Sequence, residues 1–192
     1  MFHATHRTNH VARYLIEKEM VPGLKGMRIK KTGDIMGKKR YVEKESEDRG
    51  SYLLVIHVAR DKFISVGGLG AINFKRGFYI YVGSAMANLS KRIERHRRIK
   101  KRLHWHIDYL LNEAHLVHDF AIRSSERLEC ELAQKLSGIA DWSIPYFGSS
   151  DCSCGSHLFG MVSNPLHTRK FHEVIQYFRM DRSFVSRAQV LR

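Results

Sequence analysis

Three cysteines in 192 residues are too few, and odd in number, for a disulfide framework. Two of them, Cys152 and Cys154, are separated by a single residue, and the count fits a reducing cytosol. No apolar run approaches the ~18 residues that a membrane-crossing helix requires. Met1 to His10 is polar and His-rich; lacking an apolar core, it does not read as a secretory signal. A cytoplasmic protein with no membrane partner is expected. Internal repeats and low-complexity tracts are also missing. Acidic residues are scarce beside basic ones: 19 Asp and Glu face 33 Lys and Arg, a formal net charge of +14. That imbalance points to a polyanionic partner, nucleic acid before membrane surface. What is present is a 43% hydrophobic content, which excludes a disordered chain, and a length sufficient for one buried core with tails.

Glycine and charge set the boundaries. Val11 to Met20 allows one or two helical turns. After it Pro22, Gly23, Gly26, Gly33 and Gly37 interleave with Arg28, Lys30, Lys31, Lys38, Lys39 and Arg40, and residues 43–49 are charged and polar. Residues 1–49 are therefore expected to be a flexible basic N-terminal extension, 50–160 the folded domain and 161–192 a C-terminal extension. Tyr52 to Val58 is a β-branched apolar run of strand length. Turns at Arg60–Lys62, Gly67–Gly70 and Lys75–Gly77 separate further strands at Phe63–Val66, Ala71–Phe74 and Phe78–Val82, an expected antiparallel meander. The period then changes. Leu89 to Leu103 is loosely helical with Asn88 as N-cap, and residues 105–111 form another helical segment. Leu116 to Ile122 reads as a strand. Ser125 caps a helix to about Leu136, with Leu128, Leu132 and Leu136 on one stripe. Phe147 to Phe159 is a compact loop, and His172 to Met180 a short helix. The expected fold is α+β: a small, mostly antiparallel sheet flanked by helices, with basic extensions at both ends.

Tyr52, Tyr81, Arg92, His96 and Glu129 supply the residue types that phosphodiester hydrolysis needs. A base takes a proton from water, a cation offsets charge on the phosphoryl oxygens, and a carboxylate holds a metal. Arg92 and His96 are four apart on an expected helix and share a face. Tyr79 and Tyr81 share a face of their strand.

The stretches Gly77-Phe78-Tyr79-Ile80-Tyr81-Val82-Gly83-Ser84-Ala85, Arg102 to Leu110, Glu129-Cys130-Glu131-Leu132-Ala133 and Phe147 to Cys154 together resemble the GIY-YIG nuclease superfamily. They are most similar to an archaeal and bacterial branch whose members occur alone or joined to endonuclease III-type glycosylases. The resemblance runs from Gly50 to Phe159. It implies that Tyr52 and Tyr81 are the signature tyrosines, one of them the general base. It makes Arg92 the contact to the scissile phosphate, His96 a companion four residues on, and Glu129 the ligand of Mg²⁺ or Mn²⁺, with Glu131 as fallback. The activity implied is metal-dependent endonucleolytic cleavage in DNA repair or processing, with DNA favoured over RNA and an endonuclease III-type protein as partner. A catalytically silent nucleic-acid-binding module is the alternative. This chain departs from the superfamily pattern in three ways. The first tripeptide is Gly-Ser-Tyr, Ser84 stands where many members carry lysine, and the tyrosines are 29 residues apart, a gap explained by an extra hairpin from Asp61 to Lys75.

Other residues carry secondary expectations. Residues 91–102 hold eight Lys or Arg. Beyond Arg92, these are Lys91, Arg95, Arg97, Arg98, Lys100, Lys101 and Arg102, read as a surface that tracks a phosphate backbone. Trp105 is read as core, with His104 and His106 either capping it or contacting phosphate. Ser149 and Asp151 form a turn or touch phosphate. Cys130, Cys152, Cys154 and His157 are a candidate structural zinc set. Cys-x-Cys departs from the usual spacing, however, and favours free buried cysteines.

Overall fold

Every residue of β1 (Gly50–Val58) except His57 is buried, because both faces of this strand are covered; a run apolar on both parities is what such a position requires. The computed structural model describes residues 48–181. Its main sheet has five strands in the order β5 (His115–Arg123), β1, β4 (Gly77–Ala85), β7 (Leu158–Met161) and β6 (Trp142–Ser143). Each neighbouring pair is antiparallel. β2 (Lys62–Ser65) and β3 (Ala71–Phe74) form a separate two-stranded sheet.

Alternation along the strands builds two cores. Tyr52, Leu54, Ile56, Tyr79 and Tyr81 face one side, where Leu89 and Ile93 of α1 (Leu89–Arg97) and Ile107 and Leu110 of α2 (His106–Glu113) cover them. Leu53, Val55, Ile80 and Val82 face the other, under α3 (Glu129–Ser137) and α4 (Arg169–Gln176). The Leu128, Leu132 and Leu136 stripe is buried there as expected. The α+β architecture with helices flanking an antiparallel sheet is thus observed. No helix among the described residues is long and apolar enough to cross a membrane.

Several local expectations are corrected. The four strands from β1 to β4 are not a meander: β1 pairs directly with β4, and the β2–β3 hairpin is an excursion between them. Asn88 does stand at the cap of α1, but it is left-handed (φ 55°) and its side chain makes no cap bond. Asp48 serves instead, its carbonyl accepting from the Leu89 amide at 2.9 Å and its Oδ1 from the Ser90 amide at 3.0 Å. α1 stops at Arg97, not near Leu103, because Arg98 is extended (φ −70°, ψ 128°). The chain then turns back, and Lys101 donates to the His96 carbonyl at 2.9 Å. α3 starts at Glu129 with Leu128, not Ser125, at its cap; the Leu128 amide donates to the buried Ser51 hydroxyl at 3.2 Å. The serine of the unusual Gly-Ser-Tyr triplet therefore fastens α3 to β1. Residues after 160 are not a mere extension: Phe171, Val174, Ile175 and Phe178 are buried in the second core. The expected helix at 11–20, the basic arm up to residue 47 and the tail beyond 181 lie outside the described residues.

Candidate active site

Tyr52 on β1 and Gly83 on β4 are cross-strand partners. A Cβ at position 83 would stand 2.5 Å from the Tyr52 ring, well inside van der Waals contact, so only glycine lets the tyrosine lie across the neighbouring strand. Tyr81 projects from the same face, its ring centroid 6.3 Å from that of Tyr52. α1, packed on this face through Leu89 and Ile93, brings in Arg92 and His96. The Tyr52 hydroxyl and His96 Nε2 are hydrogen-bonded at 2.9 Å.

Behind His96 lies Asp108, fully buried, with Oδ1 3.7 Å from His96 Nδ1. Arg95 donates to both Asp108 oxygens at 3.0 and 2.9 Å, and the His104 and Trp105 amides donate to Oδ2 at 2.9 and 3.1 Å. Burial opposes ionisation of Asp108, but the adjacent His96 imidazole and the hydrogen bonds from Arg95 and the two amides outweigh it and hold the carboxyl well below its usual range. Burial lowers the His96 pKa below 6.5, with Asp108 only partly offsetting it, so at neutral pH His96 is an uncharged acceptor for the Tyr52 hydroxyl. Burial also raises both tyrosines well above 10, against the opposing charge of Arg92.

Glu129 comes from the opposite layer. The first turn of α3 overhangs the end of β4, where the Ser84 hydroxyl donates to Glu129 Oε2 at 2.5 Å and His157 Nδ1 lies 3.3 Å from Oε1. The Phe147–His157 loop closes the far wall. It is tied to β4 by the Val82 amide donating to the His157 carbonyl at 2.9 Å.

These elements enclose a cavity of about 460 Å³. Tyr52, Tyr81, Arg92 and Glu129 line it together, as do His104, His106 and Asp151; His96 stands behind Tyr52. Ser149 is buried beside the cavity, and Ser150 takes the lining position. Glu131 faces a different groove, with Cys130 and Cys154; two residues round a helix separates it from Glu129 by about 200°. Trp105 packs on the first core, with the guanidinium carbons of Arg92 and Arg95 4.2 and 4.3 Å from its ring centroid.

The basic cluster divides. Lys91, Lys100 and Arg102 are exposed, as are Arg98, which pairs with Glu94 at 3.0 Å, and Arg97, which donates twice to Asp119 at 2.7 and 2.9 Å. Arg95 is taken up by Asp108. The Lys101 side chain keeps only 6% of its exposure and serves the turn after α1. Arg95 and Lys101 thus point toward Asp108, because a buried carboxylate needs cations near it.

Three residues of the site carry no assignment from sequence. Asp108 is 13 residues from Arg95, so no periodicity links them. Arg127, on the loop before α3, lines the cavity, and a basic residue two positions before the implied metal ligand was its only signal. Ser84 orients Glu129.

No curated protein and no solved structure matches this chain. A family model described as "Domain of unknown function DUF123" matches residues 51–180, from the second residue of β1 to the turn after α4, and the chain belongs to that family.

Proposed function

We propose that this protein is a divalent-metal-dependent endonuclease that hydrolyses phosphodiester bonds in DNA, in repair or processing in the cytoplasm. The observation that carries this reading is the convergence of Tyr52, Tyr81, Arg92 and Glu129 on one cavity, with His96 hydrogen-bonded to Tyr52. Glu129, with Asp151 lining the same cavity, fits Mg²⁺ or Mn²⁺, which accept one or two carboxylates and otherwise water and phosphate oxygens. Bound there, the ion supplies Lewis-acid stabilisation of the phosphoryl and leaving oxygens.

The protein's own residues handle the proton. Burial disfavours a free phenolate at Tyr52 or Tyr81, so a tyrosine acting alone is a poor base. Tyr52 instead passes its hydroxyl proton to His96 Nε2 as it takes one from the attacking water; the resulting hydroxide bonds to phosphorus while the bond to the leaving oxygen breaks, and that oxygen takes a proton from solvent. The imidazolium so formed faces Asp108. Arg92 and Arg127 offset charge growing on the phosphoryl oxygens; Arg127 replaces the cation that Ser84 lacks.

A gel assay on branched, damaged and single-stranded DNA, with and without Mg²⁺, tests this. Arg92→Ala is expected to lower cleavage about 100-fold while the protein stays folded. Activity should rise with pH along a limb centred below 6.5, because His96 must be neutral and its pKa is depressed. Unaltered turnover in folded Arg92→Ala removes the phosphate role. The silent binding module draws support from the raised tyrosine pKa values; it prevails where no substrate is cut in Mg²⁺ but DNA is still bound. In either case the exposed cations Lys91, Arg98, Lys100 and Arg102 predict a slope of about −4 for log association constant against log salt. A flat plot rejects that surface.

A further inference from the structure

We propose that Cys130, Cys152, Cys154 and His157 bind one structural Zn²⁺. One ligand atom from each lies within 4.8 Å of all the others, although Cys130 belongs to α3 and the other three to the loop before β7. In a tetrahedral site with Zn–S near 2.3 Å and Zn–N near 2.0 Å, sulfur and nitrogen stand about 3.5 Å apart and two sulfurs about 3.8 Å apart. Cys152 Sγ and His157 Nε2 are 3.5 Å apart. The remaining pairs need only a contraction of up to about an ångström, within reach of a loop and a first helical turn. Three thiolates and an imidazole are a soft, closed, four-ligand set, which selects zinc and leaves no coordination position for a substrate. Binding releases the three thiol protons to solvent.

The imidazole orientation supports this independently. His157 is almost wholly buried, with Nε2 turned to the thiols and Nδ1 turned to Glu129 Oε1 at 3.3 Å. In the carboxylate–histidine–metal arrangement the second nitrogen faces a carboxylate so that the first is free to ligate, and here Nδ1 is buried with no hydrogen-bond partner beyond this near approach. The metal joins α3 to the 147–157 loop next to the residues that face the cavity: Cys130 adjoins Glu129, and Cys152 adjoins Asp151. Zinc therefore holds both walls of the cavity in register. The single-residue Cys-x-Cys spacing is no obstacle, since the helix supplies the ligand that a second close cysteine provides elsewhere.

The test does not depend on cleavage. The full chain, produced with zinc and dialysed without chelator, is expected to hold one Zn²⁺ by elemental analysis. Replaced by Co²⁺, it is expected to show thiolate charge-transfer and tetrahedral ligand-field absorption. Cys130→Ser and Cys152→Ser should each lower affinity for the metal at least 10-fold and abolish the Co²⁺–thiolate bands. Cys130 is exposed, so that variant is expected to fold. Sub-stoichiometric zinc in the wild type, unchanged Co²⁺ spectra in both variants, or an intact mass showing a disulfide among these cysteines overturns the site.

Discussion

Glu129→Gln should abolish Mg²⁺-dependent cleavage, a loss of about 100-fold or more, while DNA affinity holds or rises. The substitution keeps the side chain's shape and its bond to Ser84, so the wall of the cavity stays intact. It removes the negative charge that a hard cation requires and that opposes an approaching phosphate. A carboxylate whose role is structural gives the reverse pattern: affinity and rate fall together as the wall loosens. Single-turnover rates across a Mg²⁺ titration, with Kd measured in the absence of Mg²⁺, separate the two. Zinc content measured on the same samples controls for His157, which Glu129 also contacts; a neutral glutamine can still accept from Nδ1–H, so stoichiometric zinc is expected to remain. Wild-type rates in Glu129→Gln sink the assignment. If the wild type itself shows neither Mg²⁺-dependent cleavage nor Mg²⁺ binding, the silent module is the better account.

The parts of this arrangement legible in the sequence are those with a local period. The apolar run of β1, the leucine stripe of α3 and the i,i+4 spacing of Arg92 and His96 each follow from strand or helix geometry, and each is observed. The parts that were not legible depend on contacts between distant segments. β1 pairs with β4 across a hairpin that the sequence also allows as two more strands of a meander. Nothing local decides between them, because register is set by which faces become buried. The charges of 91–102 gave the opposite difficulty. A uniform run hides the fact that Arg95 and Lys101 turn inward, since the acid that draws them, Asp108, lies on the next helix. The proximity of the cysteines was hidden for the same reason: Cys130 is 22 residues from Cys152 in the chain, and only the packing of α3 beside the loop brings their sulfurs together.

Asp108 is the buried carboxylate of the site, and its loss should cost the fold as well as the chemistry. Asp108→Ala is expected to destabilise the protein by about 3 kcal/mol, the low end for breaking a buried ion pair. The low end applies because the Arg95 side chain retains 24% exposure and can turn its charge toward water. Two further effects act in the same direction. The His104 and Trp105 amides lose their acceptor at the start of α2, a cap worth about 1 kcal/mol in typical helices. Lys101 also loses the carboxylate that its charge faces, and His96 the one beside its Nδ1. The pH dependence has a definite sign. The folded-state pKa of Asp108 is depressed, so its contribution is fully present above 3.8 and lost as pH falls through the lower folded value. His96 is depressed too, so the native state loses further stability as pH drops below 6.5 and the unfolded chain takes up a proton that the folded chain resists. Wild type should therefore be acid-labile, and the gap between wild-type and variant urea midpoints should persist from neutrality down to pH 3.8 and narrow below it. Removing Asp108 also removes what raises the His96 pKa, so any residual cleavage by the variant should have its acidic limb shifted to lower pH than in wild type. A variant within about 0.5 kcal/mol of wild type at neutral pH, the range of ordinary surface changes, would mean that Arg95, His96 and α2 are held by packing alone.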